Sequence, residues 1–305
     1  MLNKEELIEV LKIENSTYLK NEDNEMITYV KERLTAMGII FEEQITKYSH
    51  NIFSIRNDRP LICCHTDSMK KTRVDFKFKK KSGSHPLDVF ENNEGKIIAV
   101  RGDKRSVLGG DDGCGIFILL NLLESGADIS FAFFSNEEIG MYGSRLFPKK
   151  LLATIPYCLV IDRMGNNNII CTQNNYGSKE FEDALLEVGI PYGFYSEKGF
   201  CSDADSLREY ISCANLSCGY YEAHSCEEYV IFDDVINTFN YVSDIIRAFE
   251  GRTFPKSPNF ASAFIEEEIT DITKKIFNNI KSEYMFYVSE ENISKIMIDV
   301  LKEIL

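Results

Sequence analysis

The chain lacks three features that would each point to a particular class of protein. Its apolar runs stay below the roughly 18 residues that a membrane-spanning helix needs, so no membrane association is expected. Its 9 cysteines include no Cys-x-x-Cys pair, which argues against a thiolate zinc site and favours reduced thiols. Basic residues are outnumbered by acidic ones, 34 against 48, and the resulting net charge of −14 argues against nucleic acid as a partner.

The remaining composition is that of a soluble globular protein. The 305 residues are 44% hydrophobic and 27% charged, and the chain is long enough to bury one large core. Charges interrupt every apolar run of the N-terminal segment MLNKEELIEVLK, so we expect no signal peptide and a cytoplasmic location. Asn3 followed by Glu6 is typical of a helix N-cap.

Apolar periodicity predicts alternating helices and strands. Helices are expected near residues 4–14, 22–37, 112–124, 179–188 and 232–249, and strands in the runs IIFEE, NIFSIR, LICCH, KIIAV, ISFAFFS, YCLVID and IICT. Runs such as ISFAFF are apolar without alternation, which indicates strands that are covered on both faces. The sequence therefore predicts an α/β fold, a three-layer α/β/α sandwich around a mixed, mostly parallel sheet.

The C-terminal part of the sequence has a different character. Pro255 and Pro258 end the preceding helix, and two further helices are predicted within 261–305. The last helix carries an apolar stripe of Ile293, Ile296, Met297, Val300 and Ile304. We expect a main domain over 1–252 and a helical appendage over 253–305, whose stripe packs on the main domain or forms a contact in a homo-oligomer.

Acidic and histidine side chains stand at the ends of the apolar runs or at the start of a helix. They are His65, Asp67, Asp111, Asp112, Glu137, Glu138, Asp162 and His224. Active sites of such sheets lie just beyond the carboxyl ends of the strands, so these groups should converge. Buried charges are costly unless they are paired or bind a metal, and oxygen and imidazole donors suit a metal site.

Each group also has an ordinary structural explanation when it is considered alone. His65 and Asp67 could be a surface pair, Asp111 or Asp112 a helix N-cap, and the two adjacent glutamates a solvated loop pair. Two geometric arguments favour function. His65 and Asp67 point the same way along a strand, so Asp67 can hold the imidazole, and the adjacent glutamates point in different directions.

Five motifs occur in a fixed order: H-x-D, G-G-D-D-x-x-G, E-E-x-G-x-x-G-S, I-D and H-S-x-x-E. This order resembles the co-catalytic two-zinc exopeptidases, a superfamily that includes tripeptidase T, the tetrahedral aminopeptidases and the small bacterial leucine aminopeptidases. The resemblance covers roughly residues 60–230. It implies a metal-dependent exopeptidase that hydrolyses an amide bond with hydroxide generated between two metal ions.

The resemblance also implies a role for each residue. Asp111 would bridge two divalent ions, with Zn²⁺ expected and Mn²⁺ or Co²⁺ as alternatives. His65 and Asp162 would complete one metal site, and Glu138 and His224 the other. Glu137 would be the general base, Asp67 the partner of His65, and the peptide bond after Asp111 would be cis.

The spacing of the motifs predicts a catalytic domain without a lid. Relatives insert a lid between the equivalents of His65 and Asp111 or of Asp162 and His224, and both segments are too short here. Losing the lid removes the usual carboxylate clamp, which favours an aminopeptidase acting on short peptides. The alternatives are a hydrolase of N-acyl amino acids and a non-catalytic binding protein. A glutaminyl cyclase is disfavoured because the chain has no tryptophan.

Two further segments have two interpretations each. The basic residues 70–81 are typical of a solvated hairpin or of a surface that attracts a carboxylate-bearing substrate. Ser202 and Asp203 resemble a Ser-Asp pair that precedes the last histidine in relatives, and they also fit the N-terminus of a helix over 203–210.

Overall fold

The computed structural model describes residues 2–13, 25–69 and 86–257. The helices of this part are α1 (Lys4–Lys12), α2 (Glu25–Ala36), α3 (Gly110–Glu124), α4 (Tyr142–Leu146), α5 (Lys179–Gly189), α6 (Asp203–Leu207) and α7 (Phe232–Ala248). The strands are β1 (Glu42–Ile45), β2 (His50–Ser54), β3 (Leu61–His65), β4 (Leu87–Glu91), β5 (Ile97–Arg101), β6 (Lys104–Ser106), β7 (Ser130–Phe134), β8 (Cys158–Arg163), β9 (Asn168–Ile170), β10 (Tyr195–Ser196), β11 (Cys213–Ser217), β12 (Tyr220–Tyr221) and β13 (Tyr229–Val230).

The main sheet has eight strands in the order β1-β2-β7-β3-β8-β11-β9-β10. Its central strands β7, β3, β8 and β11 are parallel, whereas β1 and β2 at one edge are antiparallel. Every residue of β3 and β7 is buried, as expected from their continuous apolar sequences. The predicted mixed, mostly parallel sheet is confirmed.

Helices cover both faces of this sheet. Side chains alternate along β3, so Ile62 and Cys64 join one core while Leu61 and Cys63 join another. The first core receives buried side chains from α1, α2, α3, α5 and α7, and the second from α6. Helix α3 is buried along nearly its whole length, because it packs on the sheet beneath other helices. The α/β fold class predicted from the sequence is confirmed.

A second sheet was not predicted. It has the strand order β12-β13-β5-β4, with β6 paired to β5. The sequence predicted a strand in the run KIIAV but only one sheet, and this strand is β5 of the smaller sheet. An apolar run shows that a strand is buried but not which strand it pairs with. Its partner β13 lies far along the chain, where Val230 pairs with Ile97.

The predicted helices are present in the described residues, with shifted ends. The first ends at Lys12, the one predicted over 203–210 ends at Leu207, and α3 begins earlier than expected, at Gly110. Asn3 caps α1, since its side chain accepts the N–H of Glu5. The basic segment 70–81 and the helices predicted within 261–305 lie outside the described residues. Within the described residues, no helix has the length and apolarity that crossing a membrane requires.

Candidate active site

The topology brings the predicted site residues to one edge of the main sheet. His65 ends β3, Asp162 is the last but one residue of β8, and the two glutamates follow β7. Asp111 lies in the first turn of α3, and His224 lies between β12 and β13. A cavity of about 340 Å³ is lined by Asp111, Glu137, Glu138, Asp162 and His224, among others. A larger cavity of about 600 Å³ lies elsewhere, beside Pro60 and Pro156, and contains none of these residues.

The Asp111 carboxylate reaches two histidines with different oxygens. Its Oδ1 lies 3.0 Å from Nε2 of His65, and its Oδ2 lies 3.1 Å from Nε2 of His224. Each histidine has a second carboxylate beside it: Asp162 Oδ1 lies 3.4 Å from His65, and Glu138 Oε1 lies 2.8 Å from His224. The residues therefore form two groups of three donors that share Asp111.

Both glutamates lie close to these donors. The ligand atoms of His65, Asp111 and Glu138 lie within 4.8 Å of one another, and so do those of His65, Glu137 and Asp162. The ligand atoms in each of these two sets, which share His65, are close enough together to hold a metal ion. Proximity alone does not divide the work between the two glutamates, so the general-base role of Glu137 stays a prediction.

The electrostatics of the site fit bound cations. Burial is the main cause that raises the pKa of Asp162 to about 6, of Glu138 to about 7 and of Glu137 to about 11, and the charge of neighbouring carboxylates adds to it. Burial acts in the same direction on Asp111, but hydrogen bonds with His224 and His65 hold the pKa of Asp111 below its ordinary value. The buried carboxylates of the site are thus more numerous than the cationic groups around them. Divalent ions would supply the missing charge, and the oxygen and imidazole donors suit them.

Asp67 supports His65 through its backbone. The Nδ1 atom of His65 lies 3.0 Å from the carbonyl oxygen of Asp67, whereas the nearer carboxylate oxygen is 3.5 Å away. Because a carbonyl can only accept, Nδ1 carries a proton. In the charged ring Nε2 donates to Asp111, and in the neutral ring the lone pair of Nε2 faces the site. The Asp67 carboxylate instead accepts the backbone N–H groups of Glu137 and Glu138, at 3.0 and 3.2 Å.

Comparison with known families decides the identity. The model of peptidase family M28 matches residues 45–210, more than half of the chain. The chain belongs to peptidase family M28. This membership confirms the exopeptidase superfamily that the five motifs predicted, and with it a metallo-exopeptidase. A comparison with curated proteins finds no match.

Solved structures share the fold of this M28 peptidase. Aminopeptidase PepT from Bacillus cereus is 14% identical, with 80% of this chain and 97% of that chain covered and a TM-score of 0.60. A tripeptidase from Staphylococcus aureus is 14% identical, with coverages of 81% and 98% and a TM-score of 0.62. A Zn-dependent exopeptidase from Parabacteroides distasonis is 13% identical, with coverages of 80% and 98% and a TM-score of 0.56. At these identities the likeness shows the fold.

Glu228 holds the segment that carries Asp111 in this M28 peptidase. It is fully buried, and its carboxylate accepts the backbone N–H groups of Leu108 and Gly109 at 2.8 Å each. Sequence reasoning included Glu228 in the H-S-x-x-E motif but gave it no role. The backbone at Gly110 packs so closely on Tyr220 and Val230 that a Cβ there would lie 2.8 Å from their side-chain atoms. A larger residue would therefore displace this segment. The predicted cis peptide between Asp111 and Asp112 is confirmed.

Two further buried side chains position the site residues. Asp112 accepts the backbone N–H of His65 at 3.1 Å, and that of Gly115 at 3.0 Å. Asn215 accepts the N–H of Asp162 at 3.1 Å and donates to its carbonyl at 3.0 Å. The second aspartate of the G-G-D-D motif was a visible signal for Asp112. Asn215 had no signal, since its segment CANLS does not resemble an apolar strand.

Ser202 and Asp203 have separate environments. Ser202 is the N-cap of α6 and forms a capping box with Asp205, as the structural explanation predicts. Asp203 is fully buried, and among the described residues neither of its carboxylate oxygens accepts a hydrogen bond of good geometry. The Ser144 hydroxyl only partly offsets the effect of burial on the pKa of Asp203. Burial raises the pKa of Asp203 to about 7. The N-cap explanation is thus confirmed for Ser202, and the functional interpretation of the Ser-Asp pair stays a prediction.

Proposed function

We propose that this M28 peptidase is an aminopeptidase that removes N-terminal residues from short peptides. Two divalent ions would be held by His65, Asp111, Glu138, Asp162 and His224. The observation that carries the proposal is the Asp111 carboxylate, whose two oxygens each approach one histidine and its neighbouring carboxylate. This arrangement supports two cations that share Asp111, as in paired catalytic metal sites. Zn²⁺ suits these donors, with Mn²⁺ and Co²⁺ as alternatives.

The protein supplies the proton transfers. Bound divalent ions would lower the pKa of a water molecule and polarise the substrate carbonyl. Glu137 lines the same cavity, and Asp67 holds its backbone N–H. The Glu137 carboxylate would take the proton of the attacking water and then deliver it to the leaving amine. The Nδ1–H of His65, fixed by the Asp67 carbonyl, would keep the imidazole turned towards the metal site.

A cytoplasmic location is part of the proposal. All 9 cysteines are free thiols, and seven of them are buried. Free thiols are typical of reducing compartments, which supports this location.

The test combines metal content with a choice of substrates. Purified protein is stripped with a chelator, reloaded with Zn²⁺, Mn²⁺ or Co²⁺, and assayed on a dipeptide with a free amine and on its N-acetyl form. We expect two ions per chain and cleavage of the free-amine dipeptide alone. Cleavage of the N-acetyl form would instead identify a hydrolase of N-acyl amino acids. Metal binding without hydrolysis of either would reject enzymatic action on these substrates.

A further inference from the structure

Four carboxylates and one arginine stand in the lining of the candidate active-site cavity. Its lining includes the carboxylates of Asp111, Glu137, Glu138 and Asp162. Arg163 is the only arginine or lysine among the lining residues of the described part of the chain. It directly follows the proposed metal ligand Asp162, at the end of β8. The cavity wall therefore includes one arginine, directly beside a proposed metal ligand.

Arg163 has a fixed backbone and an unpaired side chain. Its carbonyl accepts the N–H of Cys218 at 2.9 Å, which anchors the residue at the sheet edge. Its Nε is buried and has no hydrogen-bond partner within residues 2–13, 25–69 and 86–257. Across the residues that the structure describes, no carboxylate forms an ion pair with it, although four line the same cavity. A partly buried guanidinium without an anion is costly, which points to a partner outside the chain.

We propose that Arg163 binds a carboxylate of the substrate, and that this carboxylate is the C-terminal group of a short peptide. The inference rests on the proposed aminopeptidase function and specifies its substrate class. A guanidinium matches a carboxylate with two parallel hydrogen bonds, and its charge persists at every working pH. The cavity of about 340 Å³ lies at the small end of ligand pockets, so it fits a peptide of few residues.

The rest of the cavity wall suits a peptide side chain. Met164 and Phe200 line it, and Phe200 is 84% exposed. An apolar side chain of the substrate would cover these surfaces while Arg163 binds its carboxylate. Arg163 thus supplies, from the catalytic domain itself, the carboxylate contact that a lid would otherwise provide.

The test compares three substrates on metal-loaded full-length protein. They are the dipeptide Leu-Ala, its C-terminal amide, and Leu-Asp amide, whose only carboxylate is in the side chain. We expect the wild type to prefer Leu-Ala to its amide by about 10- to 100-fold in kcat/KM, the range for a hydrogen bond to a charged group. A preference for Leu-Asp amide over Leu-Ala amide that matches or exceeds this would show that Arg163 selects acidic side chains instead, and would overturn the proposal.

Variants assign the preference to Arg163. In Arg163→Gln, kcat/KM for Leu-Ala should be close to kcat/KM for its amide, mainly because KM for Leu-Ala rises. Arg163→Lys should keep part of the wild-type preference for Leu-Ala. The exposed Arg145, changed to Gln, is the matched control and should keep the wild-type ratio. Metal content and melting temperature are measured for each variant, so that misfolding is recognised.

The outcomes separate the two proposals. If the wild type cleaves all three substrates equally, or if Arg163→Gln keeps the preference, the role of Arg163 is rejected while the aminopeptidase function stands. If the metal-loaded wild type cleaves none of them, the aminopeptidase function fails and the inference fails with it.

Discussion

Glu228 accepts a hydrogen bond from the backbone N–H of Asp111, at 3.2 Å, across 117 positions of sequence. The second oxygen of the same carboxylate accepts two more N–H groups just before Asp111. These bonds set where the Asp111 carboxylate stands between the two histidines. The geometry of the proposed metal site therefore depends on a buried residue that does not belong to either donor group.

The first prediction concerns this support. Glu228→Gln keeps the shape but replaces one acceptor oxygen with an NH₂ group that opposes a backbone N–H. We expect metal affinity to fall by about 10- to 100-fold, as is usual when a residue behind a metal ligand is changed. Isothermal titration calorimetry with Zn²⁺ measures this loss of affinity. The control is Glu227→Gln, at an adjacent exposed position; equal effects of both variants would show that Glu228 does not support the site.

The second prediction separates the roles of the adjacent glutamates. Glu138→Gln should lose one metal ion, and its activity should partly return as the metal concentration rises. Glu137→Gln should keep both ions and lose about 10²-fold or more in kcat, because it lacks the general base. Metal stoichiometry and kcat are measured for both variants, with exposed Glu187→Gln as the control. Loss of metal from Glu137→Gln alone would reverse the assignment.

Part of the candidate site could be predicted from the sequence because His65, Asp162 and the two adjacent glutamates follow or end buried strands. His65 and Asp162 close the apolar segments of β3 and β8, so an acid or histidine directly after such a run identifies the carboxyl edge of the sheet. The H-S-x-x-E motif contains Glu228 rather than Glu227, but it does not show that Glu228 is buried or what its carboxylate contacts. The two are identical neighbours in the sequence, yet one is fully buried and the other exposed.

Parts of the fold had no signal in the sequence. Strand β11 lies in the main sheet next to β8, although Asn215 and Ser217 interrupt its apolar character. Both are buried because they bond to neighbouring backbone, as when Ser217 donates to the carbonyl of Met164 at 2.9 Å. Such tertiary hydrogen bonds make polar residues compatible with a core strand, and periodicity does not reveal them.

The third prediction follows from β11. Asn215→Leu has a similar size but removes both hydrogen bonds to the backbone of Asp162. The Asp162 N–H and carbonyl would then be buried without these partners. Each unsatisfied group lowers the free energy of unfolding by up to about 3 kcal/mol. We expect a lower free energy of unfolding in denaturant titration and weaker binding of one metal ion. Asn215→Asp keeps the acceptor and should retain the bond to the N–H; unchanged stability in the leucine variant would contradict this role.

The last prediction concerns Asp203 and pH. Burial raises its pKa from the ordinary 3.8 to about 7, so between these values the folded protein holds one proton more than the unfolded chain. The contribution of Asp203 to stability must then fall as pH rises through this window, by about 1.4 kcal/mol for each unit of pKa shift. Asp203→Asn cannot ionise and escapes this loss.

The variant should therefore gain stability relative to the wild type as pH increases. The difference in unfolding free energy should change little below pH 4, grow towards pH 7, and level off above it. Denaturant titrations are run with a chelator present, so that metal binding does not add its own pH dependence. Exposed Asp103→Asn controls for the loss of one carboxylate. A difference that is constant from pH 4 to 8 would mean that Asp203 finds a charged or hydrogen-bonding partner in solution, and that its isolation does not limit stability.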